Sequence, residues 1–384
     1  AMAGSAPAPT DAQLTAFLNE NAAQLRRPEF RMISIALFNP APNSQPAPIT
    51  EERIRERFEF RKAALADPEK RTFVTLTIPT KEAADKIAAD ICVYTNGNLT
   101  IDGTLTVNKN SQMDVGVYRI FQSDNPLTDN GMQMAAGSDQ DYSLQVLQPQ
   151  GQVNLVNSGG RTMSYWDGSQ MIGDGTVHGG DGTWNAANSN WTDQNGNGNT
   201  PWADDVFAVF QGTGGKVMIE NGFTPRVNGM QFFVDGYSVE GGTITLGGTD
   251  VRINVGDGVM EHANYVATIS SILDGQNGFT KSGYGTLNLT GQNSYSGTTT
   301  VQEGTLELSG NGSIANSAEI VLASTEFDRG KLLINKDQDF SFANKVSGVG
   351  AVTKDGIGTT TFSGNNTFSG GLTVAAGAAK AGIA

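Results

Sequence analysis

Cysteine is almost absent from the chain: Cys92 is the one thiol in 384 residues. A single thiol excludes a disulfide within one chain and a zinc site built on a cysteine cluster. Histidine is nearly as scarce, with only His178 and His262. Neither has a His or Cys partner at metal-ligand spacing, and no G-x-S-x-G elbow, H-E-x-x-H helix or G-x-x-x-x-G-K-[ST] phosphate loop occurs. No apolar run approaches the ~20 residues of a membrane-spanning helix. Positive charge is in deficit, with 25 Lys and Arg against 39 Asp and Glu, a net charge of −14. A phosphate backbone is therefore disfavoured as a partner over most of the surface, and no nucleic acid is expected. The opening AMAGSAPAPT lacks a basic stretch followed by an apolar one, so no secretion signal is expected there.

These scarcities are unevenly distributed. Residues 1–91 contain a single glycine, Gly4, nine of the 13 prolines, and 12 basic against 12 acidic residues. Residues 92–384 contain the other 47 glycines and carry the whole net charge of −14. The domain boundary is placed near Ile91–Cys92, and Cys92 itself is given no functional role.

The first segment reads as α+β. Thr10-Asp11 caps a helix with Leu14, Phe17, Leu18 and Ala22 at helical spacing, and Ile33, Ile35 and Leu37 alternate as in a strand. A proline-rich loop, NPAPNSQPAP, ends that strand. Thr50-Glu51-Glu52 opens a helix carrying Ile54, Phe58 and Leu65. Thr72 to Ile78 is β-branched, and Lys81 to Ile91 is an amphipathic helix. The phrases RRPEFRMISIALF and PEKRTFVTLTIPTKEAADKIAADI resemble parvulin-type periplasmic peptidyl-prolyl isomerase chaperones over residues ~10–91. That family's opening strand usually bears a His, which Thr72-Phe73-Val74-Thr75-Leu76 lacks, and the rest of a parvulin domain does not follow. A truncated module without isomerase activity is expected, with residual binding of extended peptides as the alternative.

From residue 92 the text changes to short β-prone runs, such as Leu99 to Val107, Gly215 to Ile219, Thr243 to Leu246 and Val251 to Val255, punctuated by Gly, Asn and Asp. Many short strands with turn signals predict an all-β fold. Residues 279–304 recur as 352–377 without a gap. Lys281, Gly283, Gly285, Gly291, Asn293, Gly297 and Gly304 reappear as Lys354, Gly356, Gly358, Gly364, Asn366, Gly370 and Gly377. A fixed spacing of turn residues around short alternating strands predicts a right-handed parallel β-helix, or β-solenoid, with coils ~4.8 Å apart. If a coil takes ~24 residues, the 73-residue offset is about three coils. Leu287, Leu289, Val301, Leu306 and Leu308 are expected to stack inward, and Gly283, Gly285, Gly291, Gly297 and Gly304 to permit corners at positive φ. The amides of Asn293 and Asn366 are expected to satisfy turn carbonyls.

KSGYGTLNLTGQNSYSGTTTVQEGTLEL resembles the passenger-associated β-strand repeat of Gram-negative autotransporter proteins, coupling G-x-G-T-L-x-L-x-G-x-N to S-G-x-T-x-V-x-x-G. LTIDGTLTV, GVYRIF, LTDNGM, GDGTWNAANSNWTDQNGNGNTPWADDVFAVFQGTGG and MQFFVDGYSVEGG resemble such passengers too. The resemblance implies type V secretion after periplasmic transit, and display at the cell surface or outer membrane, or release. It implies a structural and adhesive role toward host-cell, matrix or neighbouring-cell molecules. The family's own carboxy-terminal membrane barrel is not seen in this stretch, which reads as a fragment or a fusion. Scarce cysteine agrees with threading through an outer-membrane pore.

Two groups are candidate sites. Trp166, Trp184, Trp191 and Trp202 lie in one Gly/Asn-rich loop, 166–202, and either grip sugar rings by stacking or anchor that loop on the solenoid side. Asp193, Asn195, Asn197, Asn199 and Asp204 match a calcium loop, in which oxygens at fixed spacing surround one hard cation. Pro201 and Trp202 interrupt that loop, and Asp stands where a bidentate Glu is usual. Otherwise no cofactor and no catalysis are expected, and both histidines are expected to be exposed loop residues. The competing classes are a polysaccharide-active β-helix enzyme and a peptide-binding, isomerase-like chaperone module with a solenoid tail.

Overall fold

A computed structural model describes residues 99–107, 113–325 and 328–382. All of them fall in the unit Phe73–Ala384. The α+β reading of residues 1–91, its parvulin resemblance and the junction at Ile91–Cys92 lie outside the described residues.

Strand signals from about residue 163 onward build a parallel solenoid whose coils have three sides. The second side is the most regular. It stacks Gly182–Trp184, Lys216–Ile219, Tyr237–Glu240, Val266–Ile269, Thr286–Leu289, Thr305–Ser309, Lys331–Asn335, Ala351–Asp355 and Leu372–Val374 in one nine-stranded sheet. Every pair in it is parallel. The first side runs from Met163–Trp166 through Val206–Phe210, Arg226–Phe232, Arg252–Val255, Phe279–Ser282, Thr299–Val301 and Ile320–Leu322 to Val346–Gly348. The third side is interrupted: Thr243–Leu246 and Ile272–Asp274 pair at one end, and Phe340–Phe342, Thr359–Phe362 and Ala378–Ala381 at the other. The only helix among the described residues is the short 3-10 turn Met260–His262. No helix among them is long and apolar enough to cross a membrane.

Because side chains alternate along a strand, every second residue points inward, and parallel register stacks like on like. On the second side the inward column reads Val217, Val239, Ile269, Leu289, Leu308 and Ile334. The neighbouring column reads Tyr237, Ala267, Leu287, Leu306, Leu332 and Val352. All twelve are buried, and Leu287, Leu289, Val301, Leu306 and Leu308 lie inward as their alternation predicts.

The repeat copies do not occupy equivalent places around the coil. Phe279 lies on the first side, and its register partners over three coils are Thr299, Ile320 and Val346. Its repeat counterpart Val352 lies instead on the second side, in the column of Leu287. The offset is thus three coils plus one side.

Before the solenoid, Leu99–Ile101 and Thr104–Leu105 pair in parallel with Leu127–Asp129 and Gln133–Met134, and the other strands of residues 116–157 are arranged differently. Gly116–Gln122, Gln152–Asn157 and Tyr142–Leu147 form a three-stranded antiparallel sheet in that order. Val117 and Val156 pack with Tyr165, Phe207, Val209 and Phe233 of the first side. Val206–Phe210 is consequently buried on both faces. Gln231 fastens the two layers: its Oε1 accepts from the Val117 N–H at 2.6 Å, and its Nε2 donates to the Val117 carbonyl at 2.8 Å and the Gly256 carbonyl at 2.9 Å. Gln145 and Gln211 exchange hydrogen bonds of 3.1 and 3.0 Å beside it. These buried amides each have partners, as burial in a low dielectric demands.

Candidate functional site

The tryptophans sit inside the molecule. Trp166, Trp184 and Trp191 are fully buried and Trp202 is 9% exposed. Their rings meet edge-on or tilted: Trp166–Trp191 at 5.2 Å, Trp184–Trp191 at 4.9 Å, Trp184–Trp202 at 4.8 Å and Trp191–Trp202 at 4.6 Å between centroids. The cluster continues into Phe210, 5.7 Å from Trp191, and through the stacked pair Phe210–Phe232 at 4.8 Å into the core. Sugar stacking needs an open ring face, and burial denies it. The rings instead close the core columns at the first coil, since Gly182–Trp184 is the edge strand of the second side. Burial leaves no open face for the sugar grip, and the rings hold loop 166–202 onto the solenoid through the end of its core. Spacing shows that four aromatics are near one another and not that they share an interior.

The calcium spacing is likewise spent on the turn. Asp193 Oδ1 accepts from the backbone N–H groups of Asn195 and Asn197 at 2.8 and 3.1 Å. Asn199 donates to Asp167 Oδ2 at 2.8 Å, and Asp204 Oδ1 accepts from Trp202 Nε1 at 3.0 Å and the Arg226 N–H at 2.9 Å. Asp193 and Asp204 thus accept from separate backbone and ring donors, while Asn199 donates to a carboxylate of another segment. Among the described residues no group of three or more His, Cys, Asp or Glu is placed to hold a metal.

The histidines are not free loop residues. His178 Nδ1 lies 3.1 Å from the buried Asp167 and its Nε2 lies 3.4 Å from Asp174. His262 Nδ1 lies 2.8 Å from the buried Asp257. Asp257 also meets Arg119 at 3.0 Å, so this group ties the antiparallel sheet to the solenoid. Asp174 and Asp257 lie only a few residues before their histidines, but no motif in the text marks such a carboxylate as a partner, and Arg119 reaches Asp257 from another layer.

The repeat corners hold the least expected chemistry. Lys281 takes a place in an inward column of the first side, between Ile253 and Val301. Lys354 takes one in the second, next to Ile334. Both are completely buried. Lys281 Nζ donates to the carbonyls of Gly283 and Gly285 at 2.5 Å each and of Glu303 at 3.2 Å. Lys354 Nζ repeats this with the carbonyls of Asp355, Gly356 at 2.7 Å and Ala376 at 3.4 Å. Each ammonium thereby fills a corner whose carbonyls turn inward. Asn293 and Asn366 act one corner on: their Oδ1 atoms accept from the N–H groups of Leu273 and Val346, both at 2.9 Å, one coil below. The Asn293 amide also donates to the Gly291 and Ser313 carbonyls at 3.1 Å.

The glycines divide into two kinds, where one was expected. Gly283, Gly304, Gly356 and Gly377 do take positive φ, between 63° and 77°. Gly285, Gly291, Gly297, Gly358, Gly364 and Gly370 do not. A Cβ on any of them would come within 1.9–2.7 Å of backbone in the adjacent coil. Close approach of coils, and not φ, requires glycine there.

Fold and corners together define a class: a parallel β-solenoid with lysine-filled corners. Residues 279–308 and 352–378 match the passenger-associated-transport-repeat family, coinciding with the two copies. Over 284 residues, 71% of the chain, the sequence is 37% identical to the adhesin BmaC autotransporter of Brucella suis biovar 1 (strain 1330). The match covers 8% of that protein's length. No solved structure matches the chain. Repeats and relative both support an autotransporter passenger with β-repeats.

Proposed function

We propose that this chain is a structural and adhesive section of an autotransporter passenger, displayed at the surface or outer membrane of a Gram-negative bacterium. The observation that carries this reading is the stack of parallel coils on one shared hydrophobic core, together with similarity to a protein named an adhesin. Such a stack is stiff and exposes regular strand faces and loops to host-cell, matrix or neighbouring-cell molecules. Beads coated with the purified 384-residue chain should attach to cultured epithelial cells or matrix above beads coated with bovine albumin. Attachment no better than albumin on every surface overturns the reading.

We read the section as non-enzymatic. A polysaccharide-cleaving β-helix needs carboxylates beside a basic group on one face. Among the described residues Arg226 lies 2.6 Å from Asp205 beside Asp204, and Arg252 lies 2.8 Å from Asp114 and 3.4 Å from Asp250, with Arg161 3.2 Å from Asp250. Arg161 also donates to the carbonyls of Asn228 and Asp250 at 2.8 and 2.9 Å, so its guanidinium joins segments of the first side. Release of reducing ends or unsaturated sugars that is lost in Asp250→Asn would favour the enzyme. Residues 10–91 we read from their resemblance as a parvulin-like module without isomerase activity. Turnover of a proline-containing test peptide would contradict that.

A further inference from the structure

We infer that the third side of the solenoid carries a binding groove for a neutral polyhydroxylated ligand, a glycan chain. The inference names a ligand class for the adhesive reading and rests on that reading for its biological role.

The groove exists because the third side is interrupted. Between Ile272–Asp274 and Phe340–Phe342 two successive coils place turns where a strand would stand; one isolated bridge, Gln292–Ser313, and the hydrogen bonds of Asn293 to Leu273 and Ser313 connect them in place of a ladder. The missing strands leave an indentation of about 590 Å³, lined by Gln292, Asn311, Asn316, Gln338, Lys336 and Phe340 among others. Its charges are already used. Lys336 is buried beneath it and donates to the carbonyls of Ser309, Gly310 and Gly312 at 3.3, 2.9 and 2.5 Å. Asp339 accepts from the Thr359 N–H at 2.8 Å.

Four carboxamides remain. Gln292, Asn311, Asn316 and Gln338 are exposed at the groove, and none of their side chains has a hydrogen-bond partner among the described residues. A carboxamide offers two donors and an acceptor with no net charge, a pattern that suits adjacent sugar hydroxyls. Phe340, half-buried and with Lys336 Nζ over its ring at 4.8 Å from the centroid, adds an aromatic residue to the wall. Anionic ligands would find the one cation of the wall engaged from within and a chain of net charge −14. An extended peptide would use strand edges, whereas the unpartnered groups here are side chains. The sugar-binding chemistry that the buried tryptophans cannot provide is thus available on another side of the coil.

The test uses the full chain on two panels of immobilised neutral oligosaccharides: host-type galactose-, mannose- and N-acetylglucosamine-terminated chains, and neutral bacterial capsular or O-antigen polysaccharides. Two variants are compared with wild type, Phe340→Ala and the combined Gln292→Ala, Asn311→Ala, Asn316→Ala, Gln338→Ala. All four residues of the second variant are exposed, so its melting temperature reports intact folding. Thr286→Ala on the second side is the control. Retention of wild type on a glycan in either panel, with affinity reduced about tenfold or more in both variants and unchanged in the control, supports the groove. The retaining panel identifies the source. The inference is overturned by retention on no neutral glycan, by retention unaffected in both variants, or by displacement with an extended peptide and not with soluble sugar. The same proteins on beads separate the two readings. Cell attachment without glycan retention removes the groove and leaves adhesion, and glycan retention without attachment does the reverse.

Discussion

An ammonium group in an aliphatic column costs several kcal/mol unless its donors are answered. Lys281 and Lys354 occupy such positions, and each meets three carbonyls that the corner turns inward. The lysine is thus the partner of the corner and the corner is the partner of the lysine. Replacing Lys281 with Met keeps the length of the side chain and removes the donors. It is expected to lower unfolding free energy by about 2–3 kcal/mol, because buried carbonyls are left unanswered; equilibrium urea denaturation measures it. A stability equal to wild type would mean that the carbonyls find water instead. Lys336 provides a pH signature. Burial pushes its ammonium down from 10.5 to about 8. Below about pH 8 both states hold the proton, and the folded state bears the desolvation. Between about 8 and 10.5 the folded protein has released a proton that the unfolded chain still binds, so stability rises with pH in that window. The difference in denaturation midpoint between wild type and Lys336→Met should therefore shift in favour of wild type from pH 8 to 10.5, and stay flat below 7.

Strands and corners were legible in the sequence to unequal degrees. The alternation of Leu287 and Leu289, or of Leu306 and Leu308, reports an inward face directly, because a period of two has one meaning once the fold is parallel. The recurrence of glycine reports that something forbids a side chain, but not whether φ or a neighbouring coil forbids it. Gly283 and Gly297 look alike in the text: the adjacent coil crowds both, and positive φ is a second requirement at Gly283 alone. The antiparallel sheet of Gly116–Gln122, Tyr142–Leu147 and Gln152–Asn157 is not legible in the text, because its strands read like those of a coil and only their partners differ. For a related reason the text leaves the tryptophans between a surface and an anchor: an aromatic beside Asn and Asp reads as a surface, while here the polar neighbours form turns around an end of the core. Trp191 touches Trp166, Trp184, Trp202 and Phe210. Trp191→Ala should cost about 3–5 kcal/mol, the range for removing a large buried aromatic. Wild-type tryptophan emission should be blue-shifted, weakly quenched by acrylamide and unchanged by sugars. Strong quenching would place the rings outside.

In the solenoid as a whole, hydrogen bonds run from coil to coil, so each strand is held by the strands below and above it. The repeat makes this independent of the side on which it lies. Copies rotated by one side produce the same lysine-filled corner, on the first side at Lys281 and on the second at Lys354. What the repeat encodes is therefore a strand–corner–strand unit, to be laid down wherever the chain has reached in its winding. Stability then depends on position in the stack more than on local sequence. Inner strands such as Ile253 to Val255 and Leu306 to Leu308 are buried and paired on both edges, whereas Leu372–Val374 pairs on one edge and is exposed throughout. Hydrogen exchange of this chain should accordingly be slowest in the coils between about residues 226 and 334 and should quicken toward 372–381, although the second repeat copy matches the first in sequence. Were protection to follow sequence instead, residues 352–377 would exchange as slowly as residues 279–304. That result would show that the corner units are stable by themselves and that stacking adds little.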